Sequence, residues 1–129
     1  MSNKTVSVDQ LANEIIQAVK DYTEDVQKAI DKEVISTAAK VKKEIKDKSP
    51  RDTGEYANGW TRKTTRKNGQ TTVTIYNKDK PQLTHLLEFG HAKKGGGRVS
   101  ARPHIRPVYD RLIPQMEKEI EEIIKRGGG

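Results

Sequence analysis

The sequence predicts an α+β domain: a long N-terminal helix and a C-terminal helix packed on a small antiparallel β-sheet, with a long basic loop. Three observations predict it. Apolar residues recur at steps of three or four across residues 8–47, the period of one helical face. Two Thr-rich alternating segments flank Asn68-Gly69, the strongest short hairpin signal. A second helical stripe, Ile105, Val108, Leu112, Met116, Ile120 and Ile123, closes the chain.

The chain has 129 residues, which predicts a single domain spanning 1–129. Only 32% of residues are hydrophobic and 33% are charged, so the core is thin and gains from burial against neighbours. The absence of cysteine excludes a disulfide framework and thiolate metal sites. No run of about 18 apolar residues is present, so no membrane span is expected. Met1–Ser7 lacks the apolar centre of a signal peptide. Residues 1–7 and 127–129 are expected to be flexible.

In the first helix, Val8, Leu11, Ile15, Val19, Tyr22, Val26, Ile30, Val34, Ala38, Val41 and Ile45 make the stripe. Asp9 or Ser7 would cap its start. Unbroken, 40 residues would span about 60 Å at ~1.5 Å per residue. A compact globule of this length is roughly 36 Å across. The helix therefore either bends near the β-branched Val34-Ile35-Ser36-Thr37 or is covered by another subunit. The mean spacing, nearer 3.7 than 3.5 residues by roughly counting the stripe, argues against a long left-handed coiled coil.

Pro50 ends this helix. Asp52 and Glu55 have the spacing of a capping box, so a short turn of helix should follow, bringing Tyr56 and Trp60 together. Trp60, the sole tryptophan, is expected to be buried. Strands follow over Trp60–Arg66 and Thr71–Asn77, and must pack on the long helix or on a neighbour. Pro81 begins a short helix that runs through Glu88, with Gly90 just past its end. The last helix starts at Pro103 or Pro107 and reaches Arg126. Pro114 should kink or break it.

Charge is unevenly placed. Residues 1–47 carry 8 basic and 9 acidic side chains, and residues 107–129 carry 4 and 5. Residues 48–106 carry 13 and 4, so the net +9 of this segment exceeds the +7 of the whole chain. Such a block points to a polyanion or an acidic protein partner. Within it, Leu83, Leu86, Leu87 and Phe89 form an apolar anchor. The glycine-rich stretch after them, a mobile loop over 91–102, carries Lys93, Lys94, Arg98 and Arg102, with Arg106 beyond it. These five cations are the candidate partner or DNA contacts.

Other motifs are weaker. Asp52-Thr53-Gly54 spells the aspartic-protease signature, but Ser-Pro-Arg precedes it and Glu-Tyr follows, unlike the apolar strand that chemistry needs. A capped turn explains it better. His85, Glu88 and His91 lie at i, i+3, i+6, but Gly90 ends the helix before His91, and His85 reads as a surface residue beside a half-buried Glu88. Lys93–Arg98 lacks the Gly-Lys-Ser/Thr ending of a phosphate-binding P-loop. No helix-turn-helix or RNA-recognition signature appears.

Taken in order, Ser49-Pro50-Arg51-Asp52-Thr53-Gly54, then Leu86-Leu87-Glu88-Phe89-Gly90, then Ala101-Arg102-Pro103-His104-Ile105-Arg106-Pro107 resemble the small tail-component family of long-tailed bacteriophages and prophages. The resemblance covers roughly residues 8–125 and rests on three ordered motifs. Pro50, Asp52, Thr53, Gly54, Trp60, Glu88, Phe89, Gly90, Pro103 and Pro107 are the structural positions it implies. His91 stands where the family often has Thr, His104 where Phe is common, and Val108 where Ala is common. The resemblance implies a structural virion protein of the head–tail interface, a tail-completion or neck component without catalysis or cofactor. It implies partners too: copies of itself in a ring, commonly hexameric, a connector or head-completion protein, and a tail tube or tail terminator protein. The DNA backbone is a further candidate partner, and no membrane is expected. Its place would be the virion neck, after assembly in the host cytoplasm. The alternatives are a stand-alone DNA-binding protein without sequence preference and a tail terminator or head-completion protein at a neighbouring neck position.

Overall fold

A computed structural model describes residues 23–67 and 69–128. The element order is α1 (Glu24–Lys48), α2 (Glu55–Asn58), β1 (Trp60–Lys67), β2 (Gln70–Asn77), α3 (Pro81–Phe89), β3 (His91–Ala92), β4 (Arg98–Val99) and α4 (Arg106–Lys125). It is an α+β arrangement with two long helices and a small antiparallel sheet, as the periodicities predict.

The helix predicted from residue 8 is not one unbroken rod. Thr23 has an extended backbone, and its Oγ1 accepts from the Val26 N–H at 3.3 Å, so α1 starts at Glu24. The expected Asp9 or Ser7 cap lies outside the described residues. The 25 residues of α1 span ~37 Å at ~1.5 Å each, close to the width of the domain. No break occurs at Val34, where the β-branched run stays helical because Val34 and Thr37 are both buried against the core.

Val26, Ile30, Val34, Ala38, Val41 and Ile45 form the buried stripe of α1. Val108, Leu112, Met116, Ile120 and Ile123 supply that of α4. The helices are antiparallel: Arg111 near the start of α4 pairs with Glu44 near the end of α1, and Gly128 abuts Asp25. Ala38 is wholly buried, and its small side chain leaves room for neighbouring backbone to approach. Burying each of these aliphatic side chains contributes about 1.5–3 kcal/mol.

The hairpin β1–β2 pairs from Trp60↔Asn77 to Lys67↔Gln70, a two-residue connection as the Asn-Gly signal predicts. Val73 and Ile75 of β2 turn into the core, whereas β1 is exposed from Arg62 onward. Arg66 reaches across to Asp31 of α1 and to Thr71, which fastens the hairpin to the helix.

Of the kink or break expected at Pro114, the break does not occur: α4 continues through it. Its ring lies on the exposed side of the helix, and the buried residues on either side, Ile113 and Met116, hold that turn against α1. The missing hydrogen bond is therefore a cost that packing overrides. Pro114→Ala should raise stability by about 1–3 kcal/mol, measured by chemical denaturation. A loss of stability would mean that the proline shapes the α1–α4 contact.

Candidate functional site

The three motifs that carry the resemblance, far apart in sequence, meet at one end of the domain. Ser49 caps the C-terminus of α1. Its hydroxyl donates to the Ile45 carbonyl at 2.5 Å and accepts from the Trp60 indole N–H at 2.8 Å. Pro50 follows and ends the helix. The predicted capping box at Asp52 does not form. Thr53 Oγ1 accepts from the Glu55 N–H instead, and Gly54 takes φ +90°, a left-handed conformation open to glycine at little cost. With Gly54 itself at the N-cap of α2, Asp52 sits outside capping reach and is exposed. Asp-Thr-Gly is here a turn.

Trp60 is buried as expected and meets Tyr56 edge-on at 5.5 Å between ring centroids. His104 completes the aromatic cluster, 5.5 Å from Tyr56 and 6.3 Å from Trp60. His104 has no exposed surface. Its Nδ1 lies 2.8 Å from the Arg102 carbonyl and 3.2 Å from Glu88 Oε1, both acceptors, so the ring proton sits there. Nε2 then accepts from the Tyr56 hydroxyl at 2.7 Å. A polar ring thus fills the slot where Phe is common because each nitrogen has a partner.

Glu88 is only 3% exposed, well beyond the half-burial expected of it. Oε1 accepts from the N–H groups of His104 at 2.8 Å and Ile105 at 3.0 Å, and Oε2 from that of Arg106 at 2.9 Å. These are the donors that a helix N-terminus leaves without intrahelical partners. Ile105, the N-cap residue, offers no side-chain cap, and Pro107 has no N–H to satisfy. The carboxylate of α3 therefore caps α4 from outside, where the positive end of the helix dipole favours it. Beside it, the Arg102 N–H donates to the Leu87 carbonyl at 2.7 Å. Gly90 has φ +74°, and a Cβ there would lie 2.6 Å from the Val99 carbonyl and 2.8 Å from the Ala101 nitrogen. No other residue fits between these strands of backbone.

The five candidate cations are exposed but do not form a single set. Lys93, Lys94 and Arg98 lie on a small hairpin whose ends, His91-Ala92 and Arg98-Val99, are paired. Arg106 opens α4 and is 3.7 Å from Asp110. Arg102 instead lines a cleft of about 580 Å³, together with Pro50–Tyr56, Lys80, Leu83 and Leu87. Pro103 and Pro107 are exposed beside it in sequence, and Phe89 is 44% exposed. His85 packs at a tilt against Phe89, 5.1 Å between ring centroids, on the outside of α3, while Glu88 turns inward. These two residues do not converge. Among the described residues no group of three or more His, Asp or Glu is placed to hold a metal.

Comparison with known protein families matches residues 13–90 to the family described as "Bacteriophage HK97-gp10, putative tail-component". The chain belongs to the HK97-gp10-like family of phage tail components. The match spans more than half of the chain and ends at Gly90, within the second motif. Glu88 and Leu87 are family-matched residues that hold Arg102–Arg106, so the third motif is joined physically to the family region. No curated protein and no solved structure matched the chain. Among the described residues no helix is long and apolar enough to cross a membrane.

Sequence reasoning placed Glu88 and Trp60 at structural positions and brought Tyr56 to Trp60, but missed the backbone partners of Glu88 and the Ser49 partner of Trp60. It also passed over Ser49, Tyr56 and His104 as one network. A serine directly before a helix-ending proline was the available signal for Ser49. Glu88→Gln should destabilise the fold by about 2–4 kcal/mol, since an amide nitrogen would face backbone N–H donors; denaturant unfolding measures it. His104→Phe should also destabilise, and adding Tyr56→Phe should then cost less than it does in the parent, because the bond from the Tyr56 hydroxyl to His104 is already lost and only its bond with Thr84 remains. Additive losses would mean that the 2.7 Å bond contributes nothing.

Burial lowers the His104 pKa below its usual 6.5, outweighing the Arg102 carbonyl and the Glu88 carboxylate, which favour the charged ring. Below pH 6.5 the unfolded chain therefore binds a proton that the folded chain refuses. Its stability is complete above pH 6.5 and falls as pH drops toward the folded value, by at most about 1.4 kcal/mol per pH unit. Thermal melts from pH 7.5 to 5 should show this slope, reduced in His104→Phe. An equal slope in both proteins would assign it to other groups.

Proposed function

We propose that this tail component is a head–tail joining, tail-completion protein of the phage neck. In this reading it acts without catalysis, and copies of itself form a ring between connector and tail tube around the DNA path. The observation that carries the reading is the outer face of α3. Leu86 and Phe89 stand one helical turn apart and are 40% and 44% exposed, the largest exposed apolar side chains among the described residues along with Ile35. On the same helix Glu88 is consumed by the α4 cap. The motif is thus split between a side that builds the fold and a side left for a partner.

Three further features favour assembly. Among the described residues the main sheet has two strands, and such a pair is marginal without neighbours. The core is one layer of helix pair against one hairpin. The Lys93–Arg98 hairpin projects charge without an ion pair of its own among the described residues. A head-to-tail contact repeated by rotation closes a ring, the symmetry a tail axis requires.

Light scattering of the purified protein, alone and with purified connectors or tail tubes, tests this. The expected result is a small species that becomes a ring when those partners are present. Phe89→Asp should abolish ring formation while leaving the thermal melt within a few degrees of the parent, because the side chain is exposed. Charge reversal at Lys93, Lys94 and Arg98 should block joining in the same way. A protein that ignores connectors and tubes would overturn the reading.

A further inference from the structure

Besides the Lys93–Arg98 hairpin, a second concentration of unpaired cations lies on the face where α1 meets β1. Lys42, Lys43 and Lys46 of α1 and Arg62 of β1 surround a groove of about 260 Å³, whose remaining wall is Ala39. No acid lines it. Lys43 is paired with Asp47 at 3.2 Å, but Lys42, Lys46 and Arg62 have no ion-pair partner among the described residues. Arg62 is fixed over the helix by donating to the Ile35 carbonyl at 3.4 Å. Between Trp60 and Asn77 there is no Asp or Glu. Lys63 and Lys67 stand on the opposite face of β1 from Arg62, because side chains alternate along a strand, and so lie outside the groove.

We infer that this α1–β1 face is a phosphate-backbone site for duplex DNA, read without regard to sequence. Three considerations select DNA over an acidic protein. The groove presents four cations and one alanine, whereas the centre of a protein interface needs apolar and aromatic contact. Lysine and arginine are side chains that hold phosphate oxygens. Among the described residues no aromatic or carboxamide lines the groove, so it would position the duplex without specifying it. The inference deepens the neck reading, and rests on it for the source of the DNA: a ring around the DNA path would turn this face toward the lumen.

The test is anisotropy of a labelled duplex of arbitrary sequence, titrated with the protein at several salt concentrations. It is run with the free chain and with the chain bound to tail tubes. Each phosphate contact contributes about 0.9 to the slope of log affinity against log salt. Lys42→Gln/Lys46→Gln/Arg62→Gln should therefore reduce the slope by about 2–3, and Lys93→Gln/Lys94→Gln/Arg98→Gln should leave it unchanged. Circular dichroism melts establish that both triple variants fold. Three results would overturn the inference: no DNA binding by either form, an unchanged slope in the α1–β1 variant, or loss confined to the hairpin variant. Polyglutamate binding in place of duplex binding would assign the face to an acidic protein and overturn it too. Light scattering with connectors decides the neck reading separately, since the free chain's slope needs no assembly.

Discussion

One buried carboxylate holds the two halves of this domain together. Glu88 spends both oxygens on the N–H groups of His104, Ile105 and Arg106, which no backbone acceptor serves. Stripping water from a carboxylate is costly, and only several well-placed donors offset it. Here three donors and the positive end of α4 do so. The same contact fixes where α4 begins, and thereby the register of its stripe against α1. Gly90 follows because the chain must leave Glu88 and double back within touching distance of Val99 and Ala101. Ser49, Trp60, Tyr56 and His104 then close the same end by side-chain bonds. Lengthening or removing Glu88 would leave orphaned donors at the base of the longest packing surface in the molecule.

The parts of this architecture that were legible in the sequence are those written in periodicity. The α1 and α4 stripes, the hairpin and the short helix from Pro81 follow from apolar spacing, Asn-Gly and proline placement. The break at Thr23 was not legible, because the apolar spacing runs on through Leu11, Ile15 and Val19, and a stripe does not reveal a cap. A break at Pro114 was weighed from local cost alone, without the burial of Ile113 and Met116. Glu88 was placed at a structural position by the resemblance and read from its spacing as a half-buried neighbour of His85, with no sign of what it holds. Its partners are backbone N–H groups 16 to 18 residues away, and backbone groups leave no letter in the sequence.

The candidate site shows the same division. Glycine and proline motifs marked the right region, since Ser49–Gly54, Glu88–Gly90 and Arg102–Pro107 do converge. Charge counting marked the right segment but spread its weight over five residues that the fold sends to different places. A second cluster of cations belongs partly to α1, whose net charge is near neutral and gave no cue. What gathers them is packing: β1 lies across α1 and brings Arg62 beside Lys42 and Lys46.

The antiparallel pairing of α1 and α4 has a mechanical consequence. Gly128 lies against Asp25, so the described chain enters and leaves the domain at one pole. Tension applied through these two ends would not shear the helices along their full length. It would part them from that pole like a zipper, Val26 and Ile123 first and the Glu88 clasp last. A domain strung this way yields gradually under axial load, unless its neighbours clamp the open pole.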